Sequence, residues 1–167
     1  MPIIHVDPQQ SNFPGIGDIL VVADNDGDAK RSFKRICEQI NDAFESDIAP
    51  KEELTASKSK PRCTIMMLPL EQESGALESI LLDAARSCHK GTAGSIDNFL
   101  ADVKVKADDE ELRYHKAWLR SYIAARCGDP CAPLGDIFDV KAYKKLVPLE
   151  HKSFDAIADV LNSFGGK

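Results

Sequence analysis

No apolar run in this sequence approaches the length of a membrane span, about eighteen residues. The opening segment, MPIIHVDPQQ, lacks both the basic start and the apolar stretch of a secretory signal. A soluble, cytoplasmic protein without membrane contact is the expectation. A paired cysteine framework is missing too. Cys37, Cys63, Cys88, Cys127 and Cys131 are odd in number and scattered, which reads as reduced thiols rather than the staples of a small secreted domain. Only Cys127 and Cys131 are close in sequence, and no nearby histidine completes a zinc-like spacing. Positive charge is in deficit. A formal net charge of −6 excludes a generally basic surface for gripping phosphates. Contact with DNA or RNA is therefore expected to be local, or bridged by cations that carboxylates hold against a phosphate oxygen. Internal repeats and low-complexity segments are also absent.

What is present suits one buried core. The 167 residues, 43% of them hydrophobic, fall within the usual size of a single domain, and one domain over residues 1–167 is expected. Ile19 to Ala23 is a short apolar run rich in β-branched residues, suited to a strand buried on both faces. A helix follows in which Phe33, Ile36, Ile40 and Phe44 recur at helical spacing, with Lys30, Arg31, Lys34 and Arg35 largely on other faces. Ser46 to Lys60 reads as a loop, and Cys63 to Leu68 as a second buried strand stopped by Pro69. Ser74 is expected to cap the next helix, whose apolar face is Leu77, Ile80, Leu81, Ala84 and Ala85.

The remainder reads as helical. Ile96, Phe99, Leu100 and Val103 suggest one helix, and Leu112 through Ala125 a longer one closed by Gly128. Leu134 to Phe138 suggests a short element, and Phe154 to Phe164 a terminal helix. Phe99, Trp118 and Tyr122 are expected in the core and His115 on the surface, while His5, His89 and His151 form no recognisable triad with Ser or Cys. Strand, helix, strand, helix in that order implies parallel strands joined by crossovers. The ligand site of such a sheet lies beyond the carboxyl ends of its strands.

Both acidic features fall there. Asp24, Asp26 and Asp28 occupy alternate positions in VVADNDGDA. In an extended segment alternate residues point to one side, so these carboxylates would converge on one cation. Asp28 is equally placed to cap the following helix. An EF-hand loop would want Gly at position 29 and Glu at position 35, where Ala29 and Arg35 stand. A haloacid dehalogenase phosphatase would want Thr or Val at position 28, where Asp28 stands. A DxD pair holding a sugar-nucleotide diphosphate remains an alternative for Asp24 and Asp26. The second feature, Glu78 in SGALESILLDAA, sits early in the helix after the second strand, where a solvent-facing glutamate near a helix N-terminus is the competing reading.

The strand followed by DND, the LP…SGALE segment and the helix HKAWLRSYIAA together resemble, from about Asp18 to Phe164, a branch of the Toprim-like domains related to the nuclease domains of the OLD family. The resemblance implies a three-layer α/β domain with a mostly parallel sheet and a helical C-terminal part. It implies that carboxylates bind Mg²⁺ or Mn²⁺ for phosphodiester hydrolysis on nucleic acid. By the same resemblance Asp24 and Asp26 are the DxD pair, Glu78 is the acidic residue added to hold a second catalytic metal, and Lys116 faces the scissile phosphate; an ordinary solvated lysine is the alternative for Lys116. Such domains begin with a strand ending in a glutamate, but residues 1–17 contain no glutamate. Three readings stay open: the first unit is missing from this chain, Asp7 substitutes, or the chemistry is lost. The last would leave a catalytically silent module that binds a metal or a partner, such as a separate ATPase.

Overall fold

A computed structural model describes residues 16–72, 75–105, 111–127, 129–133 and 146–165. The chain is mixed α/β, and among the described residues it has five α-helices and a two-stranded parallel sheet. It divides into two compact units, Met1–Ser74 and Gly75–Lys167. No described helix is long and apolar enough to cross a membrane. Asp7, the cap expected at Ser74, the stop at Gly128 and the element over Leu134 to Phe138 lie outside the described residues.

In the first unit, β1 (Asp18–Asp24) and β2 (Arg62–Leu68) pair in parallel, with Asp18 opposite Arg62 and Asp24 opposite Leu68. β2 is buried at every position from Cys63 to Leu68, an apolar run interrupted only by Thr64. Its Ile65, Met66, Met67 and Leu68 side chains each contribute roughly 1.5–3 kcal/mol by leaving water. β1 departs from the expectation of burial on both faces: Val22 is 49% exposed, and among the described residues the strand pairs on one side only. Apolar composition cannot distinguish a central strand from one with an open side.

Helix α1 (Ala29–Phe44) lays Phe33, Ile36, Cys37 and Ile40 against Cys63, Ile65 and Met67 of β2 and against Val21 and Ala23 of β1. Asp28 caps its start, Oδ1 accepting from the Arg31 N–H at 3.0 Å, and Glu45 ends it in the left-handed region at φ 48°. Its charges run against the helix dipole. The first turn holds Lys30 and Arg31 with no acid, and the last turn holds Asp42 with no base. Each misplaced charge costs about 0.3–1 kcal/mol relative to the favourable sign. Beyond the helix, Asn41 Oδ1 accepts from the N–H groups of Ile48 and Ala49 at 3.0 and 2.8 Å and folds the loop back.

The second unit is a helical cluster: α2 (Leu77–Cys88), α3 (Lys90–Asp102), α4 (Glu111–Arg126), a 3₁₀ turn at Lys152–Phe154 and α5 (Asp155–Gly165). Ala76 occupies the N-cap position of α2 and gives it no side-chain cap. The core gathers Leu81, Ala85, Ile96, Leu100, Trp118, Tyr122 and Ile123, with Trp118 stacked on Tyr122 at 5.4 Å between ring centroids. Phe99, expected in the core, is 54% exposed, and Val103 just beyond the helix is 52% exposed; α3 buries the neighbouring stripe of Ala93, Ile96 and Leu100 instead.

Two polar networks lock this cluster. Asp97 Oδ1 on α3 accepts from Arg86 Nη2 on α2 at 2.6 Å, and from Trp118 Nε1 at 2.8 Å and Tyr114 OH at 3.0 Å on α4. The Arg86 guanidinium also lies over the Trp118 ring, 5.3 Å from its centroid. In the second network Tyr122 OH donates to the Leu146 carbonyl at 2.7 Å and meets His89 Nδ1 at 2.6 Å. The phenol has one proton, already given to Leu146, so His89 Nδ1 must carry the hydrogen that it donates to Tyr122.

Burial, and then the charge of Arg126, hold the His89 pKa below its ordinary value of 6.5. The folded chain therefore favours the neutral imidazole and the unfolded chain binds the extra proton first. His89 contributes stability that is fully present above pH 6.5 and is lost as pH falls through the depressed folded value. Urea titrations of the parent and His89→Gln from pH 7 to pH 5 should show a stability difference that shrinks with acidification. A difference that grows on acidification would contradict this assignment.

Candidate functional site

The β1–α1 loop at the carboxyl end of β1 is built around Asn25, which is 1% exposed. Its backbone N–H donates to Leu68 O at 2.7 Å, extending the ladder one residue beyond Asp24. Its Nδ2 donates to Pro69 O at 2.7 Å and Gln72 O at 2.8 Å, and its carbonyl accepts from Ser32 Oγ at 3.0 Å. Two carbonyl acceptors can be met only by an NH₂ group, which fixes the amide orientation. Asn25 Oδ1 then faces elsewhere, buried and without a partner among the described residues. That is the kind of acceptor an internal water satisfies.

Asp24 and Asp26 flank this anchor, and both are exposed. Asp26 sits in the left-handed region at φ 52°, which aspartate tolerates better than most residues. The extended geometry expected to align alternate carboxylates therefore stops at Asn25. The loop turns at Asp26, and Asn25 and Ser32 hold that turn in place. Asp26 Oδ2 accepts from Arg35 Nη2 at 2.9 Å. Asp28 spends Oδ1 on the α1 cap.

Glu78 lies in the first turn of α2, where the helix N-terminus favours a negative charge. With Lys116, Leu119 and Arg120 of α4 it lines an open cleft of about 300 Å³ in the second unit. The two residues singled out there by sequence thus share one cleft. Arg120 did not stand out in the sequence; its signal was the four-residue spacing from Lys116, which puts both on one helical face. Arg120 Nη1 also donates to Ala132 O at 3.1 Å. His115 is half-buried rather than at the surface, its Nδ1 3.0 Å from Ser79 Oγ.

Among the described residues no three His, Cys, Asp or Glu side chains group closely enough to hold a metal ion. This donor set does not suit zinc or calcium, which ask for three or more protein ligands. Magnesium asks for less: it keeps several waters and is held by one or two carboxylates together with phosphate oxygens of a substrate. Asp24 and Asp26, exposed on either side of a rigid anchor, fit that smaller demand. A family model described as "Protein of unknown function (DUF3226)" matches residues 4–165. No curated protein and no solved structure matches the chain.

Proposed function

For this chain, which belongs to the DUF3226 family, we propose a Toprim-like module that holds Mg²⁺ or Mn²⁺ with Asp24 and Asp26 and hydrolyses phosphodiester bonds of nucleic acid. The observation that carries this reading is the Asn25-anchored loop at the end of a parallel strand, with its turn residue Asp26 in the left-handed region. Irregular backbone that the surroundings hold this firmly is concentrated at functional sites. Within the reading, the site lies at the carboxyl ends of the parallel strands of the first unit, as in a three-layer Toprim-like domain.

When bound, the cation would polarise a phosphoryl oxygen and lower the pKa of a coordinated water. The chain's own groups divide the rest of the work. Asp24 and Asp26 offer the anionic oxygens, and Asn25 keeps the turn between them from reorganising. Glu78 is the further acid, while Lys116, with Arg120 in the same cleft, offsets charge on the phosphate in the transition state. A second reading is a catalytically silent Toprim-like module that binds a metal or a partner such as a separate ATPase. The Asp26–Arg35 ion pair favours the partner-binding form of this module, because a carboxylate already paired with an arginine of its own chain is less available to a metal.

Calorimetric titration with Mn²⁺ and cleavage of plasmid and single-stranded substrates with Mg²⁺ or Mn²⁺ separate these readings. Asp24→Asn and Asp26→Asn should each weaken Mn²⁺ binding by roughly tenfold or more and abolish cleavage. Metal binding equal to that of the parent in both variants removes the proposed site. Binding that depends on both aspartates without any turnover supports the silent module.

A further inference from the structure

We propose that the exposed basic face of α1, formed by Lys30, Arg31, Lys34 and Arg35, is the surface on which the phosphodiester backbone of a nucleic acid lies. Lys30 and Lys34, and likewise Arg31 and Arg35, are four residues apart and therefore neighbours on the helix surface. All four are exposed, while Phe33, Ile36, Cys37 and Ile40 turn to the core and Ser32 is buried. This is a dense patch of positive charge in a chain whose formal net charge is −6.

Folding stability does not account for where these charges stand. Within the helix, after the Asp28 cap, cations crowd the positive end of the dipole, and acids are left to its negative end. The same four side chains with the sign order reversed would stabilise α1, so the arrangement is a local conflict of the sort tolerated where a surface has another use. Ion pairing does not explain it either. Lys34 and Glu38 approach only to 3.9 Å with both side chains largely exposed, and no ion pair involves the Lys30 or Arg31 side chain among the described residues. An incoming polyanion satisfies these cations.

The patch also has the right neighbour. Arg35 reaches Asp26 at 2.9 Å, so the basic face adjoins the acidic loop directly. A backbone lying along Lys30, Arg31 and Lys34 would bring its phosphates beside Asp24 and Asp26 without the carboxylates repelling it from the whole surface. The inference rests on the proposed function for its choice of polyanion, but not on hydrolysis or on a bound metal.

The test is fluorescence anisotropy of labelled single-stranded DNA, duplex DNA and single-stranded RNA oligomers in the presence of EDTA, between about 50 and about 200 mM salt. The parent chain is compared with a triple variant, Lys30→Gln with Arg31→Gln and Lys34→Gln. A control, Lys58→Gln with Lys90→Gln and Lys152→Gln, changes the net charge equally at other exposed lysines. Thermal melts confirm that both variants are folded. The α1 variant should bind roughly tenfold or more weakly, with a salt slope shallower by about 2–3, and the control should match the parent. Equal losses in the two variants, parental affinity in the α1 variant, or no oligomer bound by the parent would each overturn the proposal. Binding of the parent to anionic phospholipid vesicles but to no oligomer overturns it in favour of a membrane surface. Since EDTA removes divalent ions, loss of oligomer binding in the α1 variant supports this surface even where no cleavage occurs. Cleavage that persists while the triple substitution leaves binding unchanged removes the surface and keeps the hydrolase.

Discussion

Replacing Asp97 by alanine is expected to destabilise the second unit by about 2–4 kcal/mol. One carboxylate oxygen serves three donors from two helices, Arg86 at 2.6 Å, Trp118 at 2.8 Å and Tyr114 at 3.0 Å. The ion pair with Arg86 is not the main loss. Both side chains are partly exposed, 37% for Arg86 and 42% for Asp97, and solvent screens such a pair to within about 1 kcal/mol. The indole N–H is different. Trp118 is fully buried, and without Asp97 its donor has no acceptor in place, which carries the penalty of an unmet buried polar group.

Arg86 loses its anchor over the Trp118 face at the same time, and its Nε is already buried without a partner among the described residues. Asp97→Asn keeps an acceptor oxygen and should cost less than half as much. Trp118 is the chain's single tryptophan and lies in this hub, so its fluorescence during urea titration reports on the second unit directly. A loss below about 1 kcal/mol in Asp97→Ala would mean that water replaces the carboxylate at little cost. The same substitution should also lower the Tyr114 pKa, which burial and then the Asp97 hydrogen bond hold above its ordinary value.

The second large effect is expected at Asn25. Asn25→Ala removes both Nδ2 bonds, to Pro69 O and Gln72 O, and leaves a small void, at a combined cost of about 2–3 kcal/mol. Asn25→Asp is expected to be worse near neutral pH, although it is nearly isosteric. It would turn a carboxylate oxygen toward two carbonyls in a buried site, at a cost of roughly 3–5 kcal/mol, and acidification should recover part of the loss by restoring a donor. Hydrogen exchange of the β1 and α1 amides measures both variants. In either one the turn at Asp26 loses its anchor, so the Mn²⁺ binding proposed for this loop should weaken beyond what the remaining folded fraction explains. Exchange protection in Asn25→Asp equal to that of the parent would remove the anchoring role.

Several elements follow from local pattern alone. The apolar run of β2 and its stop at Pro69, the helical spacing of Phe33, Ile36 and Ile40, and the stripe from Leu77 to Ala85 each specify an element and the face it buries, because burial of a periodic face is a property of consecutive residues. The placement of Asp24 and Asp26 at the end of a parallel strand was legible for the same reason. The cap at Ala76 and the exposure of Val22, Phe99 and Val103 were not. Which of two adjacent stripes on a helix is covered, and how many partners a strand has, depends on neighbours far along the chain. Nor could spacing reveal that Asn25 is the buried anchor while its acidic neighbours stay in water, or that Asp26 turns back to Arg35. The Asp97 hub draws on residues from Arg86 to Trp118 across three helices. Hydrogen bonds between side chains so separated in sequence have no period; they exist only once packing has brought their helices together, and tertiary structure alone decided them.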